Sequence, residues 1–211
     1  MNKYLIPLKD YERIHKTIYS ILKNEDANMV RSCLYYSLFG AHILKEHYKI
    51  EPKVHAGIAG YCANAGEKGT LMFAEVSGGN LSCSKNGFHC WVEAEGWLID
   101  FMAPIFPEIM KASGNEQLCK PLMLQKELGL AVSNPGELVN TGDFYVSSNP
   151  NLMNELFNNF VSKPANTDLI EICSRWYKKP PKKMLKKIPI SDGKGNMGAV
   201  SLGGKSVIGV W

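Results

Sequence analysis

The densest apolar patterning in the chain lies at residues 88–101, FHCWVEAEGWLIDF. Aromatic and β-branched residues fill two arms, 88–94 and 97–101, and Glu95-Gly96 supplies a turn between them, so the pattern predicts a β-hairpin. With Ala94 opposite Trp97 across a two-residue loop, opposed positions sum to 191. Phe88, Cys90, Val92, Ala94, Trp97, Ile99 and Phe101 then share an almost wholly apolar face, the expected core face. The other face carries His89, Trp91, Glu93, Leu98, Asp100 and Met102, and it sets His89 diagonal to Asp100, within hydrogen-bond reach after modest twist.

Around this hairpin the periodicity predicts helices and strands. Residues 10–23 read as a helix capped by Asp10, with Ile14, Ile18, Ile21 and Leu22 on one stripe. A polar break, NEDAN, follows at 24–28. A second helix is expected over 30–48, where Val30, Leu34, Ser37, Leu38, Ala41, Leu44 and Tyr48 recur at helical spacing. Its small residues Ser37, Gly40 and Ala41 predict close packing against a neighbour, and Cys33 falls in its first turn. Pro52 breaks the chain. Residues 53–62 and 70–77 alternate as strands, and a Gly/Ser/Asn loop at 77–87 delivers the chain to His89. Residues 104–111 read as a short helix or an ordered loop, 118–132 favour neither state, and 143–147 fit a strand. Helices are expected at 151–160 and 168–177, and 206–211 is strand-like. The order predicts an α+β fold with a Cys-bearing helix packed on an antiparallel sheet. One domain is expected over 1–211, with a core at about 10–147 and C-terminal helices and a Gly-rich tail at 148–211.

Charge and cysteine usage narrow the classes. The net charge is +4, but residues 178–187, KKPPKKMLKK, hold six Lys, and removing them leaves −2. The basic character is local, so no nucleic-acid partner is expected, and the Pro-containing run reads as a solvated connector. A weaker alternative gives that run a nucleic-acid or membrane contact of its own. Cys33, Cys62, Cys83, Cys90, Cys119 and Cys173 show no C-x-x-C and are too sparse for a disulfide scaffold. With no visible secretory signal and no apolar run of membrane-spanning length, a cytoplasmic protein with reduced thiols is expected. Cys62, Cys83, His89 and Cys90 lack paired zinc-ligand spacing, and AVSLGGKS at 199–206 lacks the following helix a phosphate loop needs. No metal or cofactor is expected.

Three residues carry candidate chemistry. A thiol at a helix N-terminus gains from unpaired N–H groups and the helix dipole, which favour the thiolate, and Cys33 has that placement. His89 and Asp100 supply the base and the orienting carboxylate of a nucleophilic triad. Asn28, five residues before Cys33, is a candidate oxyanion donor, with helix capping as its plain alternative. Trp91 is a candidate cleft residue, with sheet packing as its alternative. His55 is a rival base for which no acid lies at matching spacing.

The order of Cys at a helix start, strands, H-x-W-V-E, a Gly turn and W-L-I-D resembles the transglutaminase-like branch of the papain-like cysteine superfamily. That branch includes transglutaminase-core proteins and, more distantly, arylamine acetyltransferases. The likeness covers about residues 28–102 and is nearest to a small bacterial family of unknown function within the superfamily. It implies a papain-like or transglutaminase-core arrangement with Cys33 as nucleophile, His89 as general base and acid, and Asp100 as orienting group. Leu34 stands where transglutaminase cores usually have Trp, and the interval from His to Asp is shorter than in many relatives. The expectation is a cysteine-dependent hydrolase or acyltransferase acting on a peptide, protein or small amide substrate at an amide, isopeptide or thioester carbonyl. The alternative is a non-catalytic peptide- or partner-binding module on the same fold.

Overall fold

The hairpin forms in the register its sequence predicts. A computed structural model of the chain describes residues 4–65, 69–114, 119–192 and 194–211. In it Val92 pairs with Ile99, Glu93 with Leu98 and Ala94 with Trp97. Glu95 and Gly96 both take positive φ, 51° and 79°, the mirror-image turn that matches strand twist. The face carrying His89 is nearly as buried as the apolar face. His89, Trp91, Leu98, Asp100 and Met102 are all nearly inaccessible. The hairpin occupies the middle of the sheet and is covered on both sides.

Strands β1 (Lys53–Cys62), β2 (Thr70–Phe73), β3 (Glu75–Ser77), β4 (Asn80–Ser82), β5 (His89–Ala94), β6 (Trp97–Asp100), β7 (Leu124–Glu127) and β8 (Phe144–Ser148) follow helices α1 (Leu8–Asn24) and α2 (Cys33–Ile43). Helix α3 (Phe106–Ala112) lies between β6 and β7. Helices α4 (Pro150–Val161) and α5 (Pro164–Trp176) and a ribbon of β9 (Lys187–Ser191) and β10 (Met197–Ser201) end the chain. The main sheet runs β2-β1-β5-β6-β7, with β8 on β1, and its strand pairs are antiparallel. The mixed α+β expectation holds.

The pairing of β1 creates a fork. Gly57 faces both His89 of β5 and Ser148 of β8, while Ala59 faces both Phe73 of β2 and Val146 of β8. A strand has two edges, so β5 and β2 must share the edge opposite β8, lying end to end along it. His89 begins β5 and Phe73 ends β2, and they meet where one partner replaces the other. The sheet opens there.

Helix α2 packs on the apolar face of the hairpin. A Cβ on Gly40 would stand 2.1 Å from the Phe101 ring, the close approach predicted by its small residues. The helix is shorter than its apolar spacing implied. Residues Met29–Arg31 form a separate 3-10 turn, α2 starts at Cys33, and Leu44–Tyr48 is a π-helical turn. Asp10 does not cap α1, which starts two residues earlier after Pro7; instead its carboxylate accepts from the Tyr48 hydroxyl. Residues 206–211 make one parallel bridge, Met123 to Val210, rather than a strand. Leu118, the first residue of the stretch left open by its pattern, lies outside the described residues. The Lys-rich connector is tied down by Arg13 donating to the Lys178 and Lys182 carbonyls and by Trp176 Nε1 donating to Leu185. Among the described residues no helix is long and apolar enough to cross a membrane.

Candidate functional site

Three elements converge on His89. The ring is fully buried, and its Nε2 lies 2.6 Å from Asp100 Oδ2. A carboxylate only accepts, so Nε2 carries the hydrogen and Nδ1 is turned the other way. Phe73 stacks on the ring at 4.1 Å, and Tyr61 and Phe106 meet it edge-on, which fixes its plane. Asp100 is held in turn: its Oδ1 accepts from the Met102 N–H at 2.9 Å, and its backbone carbonyl accepts from the buried Tyr11 hydroxyl. His15 of α1 bonds the next carbonyl, Phe101, through Nδ1 at 2.9 Å. Helix α1 therefore fastens the end of β6 that presents Asp100.

Cys33 stands at the first position of α2, almost fully buried at 5% exposure. The Ser32 carbonyl accepts the first helical bond, from the Tyr36 N–H. The N–H groups of the first turn have no carbonyl to reach within the helix, so they form an electropositive floor for a sulfur anion or an oxyanion. The thiol is held well below its ordinary value, at about 5. The neighbouring Cys90 is the largest cause; burial opposes it, and the nearby His89 adds to the lowering. The imidazole is pushed the other way, up to about 10. Burial opposes that shift, but Asp100 and Cys33 together outweigh it. Burial and the Cys33 anion push the Cys90 thiol well up, so Cys90 stays protonated as a donor. Both shifts run in the direction that favours a thiolate beside an imidazolium.

A cleft of about 480 Å³ opens at the sheet fork and reaches both Cys33 and His89. Leu71, Met72 and Phe73 of β2 form one wall, and Phe88, Ile109 and Leu156 add apolar surface. Among the described residues, Arg31, Lys85, Asn86 and Ser113 are its polar residues other than Cys33 and His89.

The remaining candidates fall elsewhere. Asn28 is exposed, precedes the 3-10 turn without a side-chain cap bond, and does not line this cleft. Trp91 is buried and stacks on His55 with ring centroids 5.7 Å apart, so sheet packing is its role. His55 does have an acid: Glu93 Oε2 lies 3.1 Å from its Nε2. The pair is diagonal across β1 and β5, a relation visible only once those strands are paired. The shallow cavity beside it has no cysteine among its lining residues. No cluster of metal-ligating residues occurs among the described residues. Asn86 and Tyr11 escaped the sequence reading, which places Met102 on the His89 face but without its backbone bond to Asp100. Only Asn86 left a usable signal, its place in the loop that delivers His89.

A family model described as "Protein of unknown function (DUF2026)" matches residues 7–211. The chain belongs to the DUF2026 family. It is also similar to a solved protein described as "The crystal structure of genomics APC5867", at 32% identity and a TM-score of 0.89, covering 100% of this chain and 99% of that one. No curated protein matches it significantly.

Proposed function

We propose that this DUF2026 protein is a cysteine-dependent hydrolase or acyltransferase acting at an amide, isopeptide or thioester carbonyl. The observation that carries the reading is that Cys33, at a helix start, and His89, tied to Asp100, line one open cleft, with the thiol pushed below and the imidazole above their ordinary values. The likeness to the transglutaminase-like branch of the papain-like superfamily supports the same assignment and its papain-like core.

The Cys33 sulfur attacks the carbonyl carbon, and the carbonyl π electrons move to oxygen. Backbone N–H groups of the first α2 turn, and the Asn86 amide at the cleft wall, are the donors available to that oxyanion. The His89 imidazolium gives its Nδ1 proton to the leaving nitrogen or sulfur as the bond to carbon breaks, which leaves a thioester on Cys33. Water or an amine then attacks the thioester while losing a proton to Nδ1, and sulfur departs as the thiolate, restoring the ion pair. Asp100 keeps the ring oriented through both halves.

Alkylation with iodoacetamide, mapped by mass spectrometry, tests this. Cys33 is expected to react fastest, with a rate that rises through about pH 5 rather than near 9. His89→Ala is expected to slow it at pH 6 by roughly 10–100-fold, and Cys33→Ala to abolish the fast phase. If another thiol reacts fastest and His89→Ala leaves the profile unchanged, the triad is wrong.

A further inference from the structure

The charges around the cleft are unevenly balanced. Among the described residues two cations line it, Arg31 and Lys85, and no carboxylate does. Lys85 is already neutralised, with Nζ 2.5 Å from Glu155 Oε1. Arg31 forms no ion pair with any described residue. It ends the 3-10 turn two residues before Cys33, so its exposed guanidinium stands at the mouth of the site. The rest of the wall is largely apolar, so little else nearby competes for that charge. A guanidinium presents a rigid fork that fits a carboxylate with two parallel hydrogen bonds.

We infer that Arg31 is a substrate-binding residue and that the acyl donor carries a carboxylate close to the reacting carbonyl. The inference rests on the triad reading above and specifies its substrate class: acyl groups with an acidic side chain or a free carboxylate within a few bonds of the carbonyl that Cys33 attacks. A substrate with a neutral group there leaves Arg31 unpaired.

Two small alkylating reagents separate this inference from the triad itself. Iodoacetate and iodoacetamide place the same reactive carbon beside a carboxylate or a neutral amide. Both lose iodide to the thiolate, forming a carbon–sulfur bond. For the native chain at pH 7 and low salt, the ratio of iodoacetate to iodoacetamide rates at Cys33 is expected to exceed that of a free thiol in the same buffer. In Arg31→Gln the ratio should fall roughly tenfold, the low end for one charge-assisted contact, and Arg31→Lys should restore part of it. Added salt should compress the native ratio and leave the Arg31→Gln ratio nearly unchanged. Circular dichroism confirms that each variant is folded. If Cys33 reacts rapidly with iodoacetamide but Arg31→Gln leaves the ratio within twofold of the native value, the carboxylate inference fails and the triad stands. If Cys33 shows no enhanced reactivity with iodoacetamide, the triad reading fails instead.

Discussion

Asp100 decides which way the imidazole proton points. Its two oxygens are both committed, Oδ2 to His89 and Oδ1 to the Met102 N–H. In Asp100→Asn, the amide oxygen can keep the Met102 bond, which turns the NH2 group toward His89. Nε2 must then accept, so the neutral ring carries its hydrogen on Nδ1, facing the thiol with a donor where an acceptor is needed. The main influence raising the imidazole is lost at the same time. Asp100→Asn is therefore expected to lower the pH 6 alkylation rate of Cys33 by roughly 10²-fold while the fold persists. Stopped-flow alkylation together with near-ultraviolet circular dichroism reads both. An unchanged rate would mean that His89 is oriented by its aromatic cage alone.

The cage and the pair depend on elements that differ in how far sequence reveals them. The hairpin was legible because its information is local: alternation, a two-residue Glu-Gly turn and a short span fix the register, and the register fixes His89 against Asp100. The start of α2 was blurred because Val30 continues the helical spacing, yet it sits in a separate turn at 37% exposure. The burial of the second hairpin face, the fork between β2 and β5, and the His55–Glu93 contact arise from pairing segments far apart in sequence, which no local period encodes. The small residues of α2 were readable as close packing but not as to partner, and the partner is Phe101. This contact is what sets the distance between Cys33's helix and the hairpin. Gly40→Ala gains about 1 kcal/mol of helix propensity but forces a methyl group into the ring of a fully buried Phe101. Overpacking typically costs about 1–3 kcal/mol, so a net loss of up to about 2 kcal/mol in urea unfolding is expected. Phe101→Leu should relieve part of the clash, so the double variant should be more stable than the sum of the two single changes predicts. Strict additivity would mean that helix and hairpin are not in contact at this point.

Across the whole molecule, the buried titratable groups set a pH range for stability. The folded Cys33 thiol lies at about 5 against an ordinary 9.0, so its contribution is complete above 9 and is lost as pH falls through 5. Folded His89 lies at about 10 against 6.5, so its contribution is complete below 6.5 and is lost as pH rises through 10. Between 6.5 and 9 these groups bind one proton between them in both states, on sulfur when unfolded and on imidazole when folded, so their slopes cancel. His15, lowered to about 4 chiefly by burial, is neutral in both states over that range. Below 6.5 the unfolded chain takes up one extra proton at His15 and one at the Cys33–His89 pair. His47, lowered by burial but only partly covered, adds a fraction in the same direction. Above 9 the unfolded chain releases protons that the raised, buried Cys90 and Cys173 thiols retain. Urea midpoints are therefore expected to be flat from about pH 6.5 to 9, to fall on the acid side with a slope approaching about 2.7 kcal/mol per pH unit, and to fall again above 9. His15→Gln should roughly halve the acid slope. The proton count is blind to whether sulfur or imidazole holds the shared proton, so the ultraviolet absorbance of the thiolate supplies the missing half, rising through about pH 5 in the native chain and not in Cys33→Ala. A flat stability plateau without that absorbance would mean a neutral thiol beside a neutral imidazole, and a site without its nucleophile.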